Sequence, residues 1–320
     1  MYEALKDVAD FYWLRQYKRP FSDKPRGSFN LEIVNHYDPG VYDVAILHLD
    51  QQCFEKKDIW QVGKGVLYRD LDEVIQDIPK IVINHATPYW PEEWPTDRPD
   101  GMSQKLVDRM RKAVGDNLMV VNSRTAAKQW GFGTPIIHGM NPADWWDLPK
   151  ERRVVTMISP AGLDMYYDRQ FLAAVKELLL EETGVELCHI TVDWQSKSFD
   201  DYRDFLGRSL IYFNPTRESP MPRARTEAML SGACVITTPG QDAKDFIEDG
   251  VNGFLVRRDP RQVVDRIKWA LDHYDEAVAM GQRGKETAIK LASRERYRDD
   301  WIKILSQAIK KEVTPNGIQL

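Results

Sequence analysis

Little in this sequence points to secretion, a metal centre or a membrane. Only three of its 320 residues are cysteine, Cys53, Cys188 and Cys234, and they fall in no ligand spacing. A disulfide framework or cysteine zinc site is therefore not expected, and a reducing, cytoplasmic setting fits. Six histidines are scattered without an H-x-x-H or H-E-x-x-H, so no metal is expected. The best apolar run, FLAAVKELLL, is broken by Lys176 and Glu177, far short of the ~18–20 apolar residues that cross a bilayer. The opening MYEALKDVADFYW carries acids and lacks the apolar stretch of a signal peptide. There is no G-x-S-x-G elbow and no strand-to-helix G-x-G-x-x-G, which argues against an α/β-hydrolase and a dinucleotide fingerprint. Basic residues number 44 against 49 acidic, a net charge of −5. That lacks the cationic excess which nucleic acid or an anionic membrane would draw on.

What is present suits a globular chain: 42% apolar and 29% charged residues. The length matches two domains of roughly 150 residues each. Short apolar runs alternate with helix-period stretches throughout, the α/β signature. LEIV, YDVAILHL, KIVINH, LMVVNS and TPIIHG read as strands in the first half. RVVTMIS, VELCHITV, SLIYFNP, ACVITTP and GFLV do so in the second. Such nearly continuous apolar strands imply parallel sheets covered on both faces. The expected domains are 1–144, 145–298 and a terminal helix with its tail, 299–320. Open parallel sheets bind ligands at the carboxyl ends of their strands, and two of them facing one another predict an interdomain cleft. Ten tryptophans, several in YWPEEW and DWW, are either core or sugar-stacking residues.

The densest signal lies in residues 209–256. The strand IYFNP enters a proline-rich turn, and a helix opens near Pro222 and stops at Gly232. A helix amino end offers free N–H groups and partial positive charge to an anion. Arg223 and Arg225 add guanidinium groups suited to phosphate, with Thr226 beside them. Glu227, four positions after Arg223, shares its helix face; taken alone, that spacing also describes a surface ion pair. Asp70 and Asp72 form a D-x-D, expected to cap a helix rather than to hold a metal.

TEAMLSGACVITTP and EDGVNGFLVRRDP together resemble the donor-binding half of retaining GT-B glycosyltransferases of the family 4 type (glycosyl transferases group 1). The resemblance implies two Rossmann-like domains, a nucleotide-diphosphate sugar as donor, no metal, and a terminal helix crossing back to the first domain. It places Glu227 on the ribose and, with a one-residue shift in spacing, Glu218 on the donor sugar. In INHATP it gives His85 a place beside the transferred sugar. The family's Arg/Lys pair after the first strand of the second domain is missing from ISPAGLDMYYDRQF, where Gly162 or Leu163 and a position near Tyr167 stand instead. Arg223 and Arg225, helped by Arg169, are expected to replace it. The expected activity is transfer of a sugar from a UDP- or GDP-linked donor to a glycan or small-molecule acceptor, as in polysaccharide biosynthesis. A nucleotide-sugar epimerase of the non-hydrolysing kind and an inactive nucleotide- or glycan-binding subunit are the alternatives. Before residue 80 the likeness is weak: either a first strand is absent, or Trp13, Arg15, Tyr17 and Lys18 rebuild the acceptor side.

Overall fold

The computed structural model describes residues 1–14, 32–55, 59–158, 166–190 and 198–310, and the backbone of 312–314 and 317–319. Arg15, Tyr17, Lys18, Gly162 and Leu163 lie outside the described residues. The chain divides into two compact units. One comprises the described residues up to Gly139 together with those from Arg294 onward, and the other is Met140–Ser293.

The first unit runs α1 (Tyr2–Leu5), β1 (Tyr12–Leu14), β2 (Glu32–Val34), β3 (Ala45–His48), α2 (Lys64–Val74), β4 (Lys80–Asn84), α3 (Gln104–Val114), β5 (Leu118–Val121), α4 (Arg124–Trp130) and β6 (Thr134–Pro135). Strands β3-β4-β5-β6 form a parallel sheet in that order, while β1 and β2 pair in a separate parallel ribbon. Period-2 alternation sorts each strand between two cores. Ile81, Ile83 and Val120 face one of them, and Val82, Met119 and Val121 the other. Trp94, from the YWPEEW segment, is buried in this second core. Helices start where a serine can accept from a free amide: Ser103 Oγ accepts from Leu106 N at 3.3 Å and Ser123 Oγ from Ala126 N at 3.0 Å. Helix α2 begins earlier than its acids suggested. Asp70 and Asp72 therefore lie inside it and pair with Arg69 and Lys80 rather than capping it.

The second unit runs β7 (Glu151–Thr156), α5 (Arg169–Thr183), β8 (Leu187–His189), α6 (Phe199–Arg208), β9 (Ser209–Asn214), α7 (Arg223–Leu230), β10 (Cys234–Thr237), α8 (Ala243–Phe246), β11 (Phe254–Leu255), α9 (Pro260–Asp272) and α10 (Tyr274–Leu291). Its five parallel strands lie in the order β11-β10-β9-β7-β8. The direction of winding reverses between β7 and β9, and the crevice of an open α/β sheet forms at such a switch point. Every residue of β9 is buried, which matches its unbroken apolar run. The final helix, α11 (Arg294–Ile309), belongs to the first unit. Its Trp301, Ile304 and Leu305 join Leu5, Ile81 and Ile83 in one core, and Arg298 Nη1 donates to Ala4 O at 3.1 Å.

Candidate functional site

In the second unit the carboxyl ends of β7, β9 and β10 bring most of the sequence-selected residues together. Helix α7 opens at Arg223 with Pro222 as its N-cap, which gives its first amides no side-chain cap. Glu227 is buried to 1% exposure. Its Oε2 accepts from Tyr202 Oη at 2.7 Å and its Oε1 from Arg223 Nε at 3.1 Å. The Arg223 side chain remains 56% exposed, so its guanidinium is held by the carboxylate yet open to an incoming anion.

Arg225 does not share that freedom. It is fully buried, with Nη1 and Nη2 donating to the two oxygens of Asp242 at 3.0 and 2.9 Å and its guanidinium over the Phe246 ring at 4.6 Å. A bidentate guanidinium–carboxylate pair inside a core is consumed by the protein. The sequence-based role of Arg225 as a second phosphate grip is therefore corrected to a structural one. The helix phase decides this, since position 225 turns inward while 223 turns outward. Thr226 is buried and its Oγ1 has no hydrogen-bond partner among the described residues. Arg169 is exposed at the first position of α5, whose amino end is capped by Asp168 Oδ1 accepting from Phe171 N at 3.1 Å.

Glu218 sits on the loop after β9, and Gln241 Nε2 donates to its Oε2 at 2.9 Å. Burial raises its pKa above the ordinary value, partly offset by Gln241, Arg217 and Arg258. Arg258 ties the loops of this end together. Nη1 donates to Pro215 O at 2.9 Å and Thr216 O at 3.2 Å, and Nη2 donates to Tyr167 O at 3.0 Å and Asp168 Oδ2 at 3.3 Å. Asp168 (φ 74°) and Gln241 (φ 52°) both adopt left-handed backbone, costing of order 1–3 kcal/mol each and typical of binding loops. Gly240 lets its loop approach, because a Cβ there would lie 3.0 Å from Arg217 O. Asn214 Nδ2 and Oδ1 and Thr216 Oγ1, at the carboxyl end of β9, are buried without a partner among the described residues. Such orphaned groups are rare in folded proteins.

In the first unit, His85 follows β4 and meets a residue that sequence reasoning missed. His48, the last residue of β3, faces it with Nδ1 3.1 Å from His85 Nε2 and the rings stacked at 5.2 Å. Water reaches both rings, yet the surrounding walls withdraw enough of it to lower both pKa values. His48 falls to about 4, chiefly by desolvation and then by the neighbouring His85. His85 falls by desolvation, partly countered by Asp50. Each imidazole is thus neutral near pH 7, able to accept one proton and donate another. The pair lines a cavity of about 1190 Å³.

Residues 169–273, all in the second unit, match the family model of glycosyl transferases group 1. The chain resembles S. aureus TarM with a TM-score of 0.60 and 15% identity, over 81% of this chain and 54% of TarM. It resembles Anabaena HepE in complex with UDP (0.59; 16%; 83% of this chain and 79% of HepE). It also resembles Thermosynechococcus elongatus sucrose-phosphate synthase (0.57; 13%; 82% of this chain and 73% of the synthase). The fold is that of the GT-B glycosyltransferases. No curated protein sequence matches the chain, and it spans only about half the length of TarM. Within this GT-B fold, His48, Tyr202, Asp242 and Arg258 had no motif of their own. Only the position of His48 at the end of an apolar run hinted at a strand-end site. Among the described residues no group of three or more His, Cys, Asp or Glu is arranged to hold a metal ion, and no helix is long and apolar enough to cross a membrane.

Proposed function

We propose that the protein is a retaining, metal-independent glycosyltransferase that moves a sugar from a nucleotide-diphosphate donor to an acceptor hydroxyl. The observation that carries this reading is the Glu227 carboxylate, fixed by Tyr202 and Arg223 beside the uncapped opening of α7, at the switch point of the second sheet. The ribose would lie on Glu227 and the diphosphate over the first amides of α7 with Arg223, supported by Arg169. The unpartnered polar atoms of Asn214 and Thr216 support a polar ligand there, since each buried unpaired group costs about 1–3 kcal/mol. HepE is described in complex with UDP, and the pneumococcal O-GlcNAc transferase GtfA in complex with UDP and GlcNAc, which makes UDP the first donor base to try.

In the reaction, the bond between the anomeric carbon and the phosphate oxygen breaks as the acceptor oxygen bonds to the same face. The acceptor's proton passes to the departing phosphate. Charge grows on the diphosphate, where Arg223 and the helix end stabilise it; a single such donor is worth ~3 kcal/mol of barrier in other enzymes. Glu218, whose pKa burial raises, would hold hydroxyls of the donor sugar. His85, neutral, would orient the transferred sugar and the acceptor hydroxyl. The acceptor enters on the first unit.

UDP at 100 times its dissociation constant should stabilise the wild type by ~2.7 kcal/mol, read as a thermal shift. Glu227→Ala should weaken UDP about ten- to hundredfold, as the loss of a charged hydrogen-bonding group does. Equal UDP shifts in both proteins would remove the assignment. The locking of Arg225 on Asp242 favours a second reading, a nucleotide-binding subunit without turnover. It would show the UDP shift yet release no UDP from UDP-sugars with any acceptor.

A further inference from the structure

The cavity beneath His48 and His85 is not built for a bare sugar. Residues 43–50 line it without a break, although successive side chains of a strand point to opposite faces. The cavity therefore runs along an edge of β3, whose only sheet partner among the described residues is β4. Opposite stands one face of α2, with Leu67, Tyr68, Leu71 and the following Ile75 at helical spacing. Leu305 and Ile309 of α11, also one turn apart, close another wall.

Polar groups are unevenly placed along this chamber. His48, His85, Asp50 and Lys64 gather at the carboxyl end of the strands. At the rim, Lys6 and Asp7 are paired with Glu3 and Arg298, and His36 Nε2 lies 2.9 Å from Asp38 Oδ1. The mouth also carries apolar groups in water: Val41 is 63% exposed and Tyr12 45% exposed, with Tyr12 edge-on to Tyr42 at 5.3 Å. At about 1190 Å³ the space exceeds the roughly 300–1,000 Å³ typical of small-ligand sites. Asp10, Tyr37 and Asp43 also line the space, but saccharide hydroxyls set against its walls of Leu, Ile and Val would go unpaired.

We infer that this chamber binds an amphiphilic alcohol, its hydroxyl-bearing head at His48–His85 and an apolar body lying along β3 and α2. This rests on the glycosyltransferase reading, because it makes the amphiphile the acceptor. The polar end meets the proposed reacting oxygen, and the apolar remainder supplies the affinity.

Titration of the full chain with glucose, hexyl β-D-glucoside and octyl β-D-glucoside, without nucleotide, tests the inference. Affinity should rise about three- to fourfold per added methylene, as burial of a CH₂ requires, with glucose weakest. Leu67→Trp fills the chamber and Val41→Asp charges its mouth; each should weaken octyl glucoside at least tenfold while leaving UDP binding unchanged. Val41 is exposed enough that its variant folds whether or not Leu67→Trp does. A flat chain-length series, glucose binding as tightly as octyl glucoside, or octyl glucoside binding unaltered in Val41→Asp would overturn the inference. Failure of the wild type to bind UDP would sink the function instead, leaving the chain-length series to judge the chamber alone.

Discussion

Two pairs of titratable side chains sit at the carboxyl ends of the two sheets, and they are used in opposite ways. In the second unit Arg225 and Asp242 are shut inside the core in a bidentate pair. In the first, His48 and His85 share one hydrogen bond at the wall of an open cavity. Both pairs stand where ligands of open α/β sheets bind, so position alone does not separate scaffold from chemistry. Burial with bidentate pairing does. A guanidinium whose two terminal nitrogens are held by a buried carboxylate keeps a loop in place, and a ring at the wall of an open cavity can meet a substrate.

The largest effect that would break this contrast comes from the closed pair. Arg225→Ala leaves the Asp242 carboxylate buried without its partner, which should cost about 3–5 kcal/mol of unfolding free energy, read from urea denaturation. Replacing both partners with apolar residues, Arg225→Met with Asp242→Leu, should recover most of the loss, because no charge is left stranded. A cost below ~1 kcal/mol for the single variant would mean that water reaches the pair. Arg225 would then regain its place as a phosphate ligand.

A smaller effect sharpens the same point about closure. Helix α10 passes so near the end of α7 that a Cβ on Gly281 would lie 2.2 Å from Gly232 O, backbone against backbone. Gly281→Ala should therefore destabilise by about 1–3 kcal/mol, the range for overpacking a tight contact, even though alanine is the better helix former. A thermal midpoint at or above that of the wild type would show the second unit to be looser than this packing implies.

That contact also marks where the sequence was hard to read. The strands were legible because a two-sided parallel sheet demands unbroken apolar runs, and VELCHITV, SLIYFNP and ACVITTP each contain one. No motif singled out Gly281 and Gly284, the places where α10 lies against Gly232 and Asn252. Glu227 stood out in the sequence because its motif is local. The fate of Arg225 was not, since Asp242 lies 17 residues away and nothing in RARTEAML says which arginine turns inward. His48 escaped for the same reason: its partner is 37 residues distant, and its place at the end of an apolar run hints at a strand end without naming that partner.

The smallest effect concerns the open pair and is a matter of pH. His48 titrates near 4 in the folded chain against about 6.5 when unfolded, so the unfolded chain takes up its proton first as pH falls. Its contribution to stability is complete above about pH 6.5 and is lost progressively as the pH drops toward 4. Because solvent screens both rings, the loss should be on the order of 1 kcal/mol or less. Denaturation of the wild type and of His48→Gln at pH 7 and pH 4.5 checks this, with the variant losing less across the interval. Identical pH slopes in the two proteins would show that the His48 ring is as well hydrated folded as unfolded. The first unit would then hold no more than a solvated surface at the end of β3, and the contrast with the sealed Arg225–Asp242 pair would be one of depth alone.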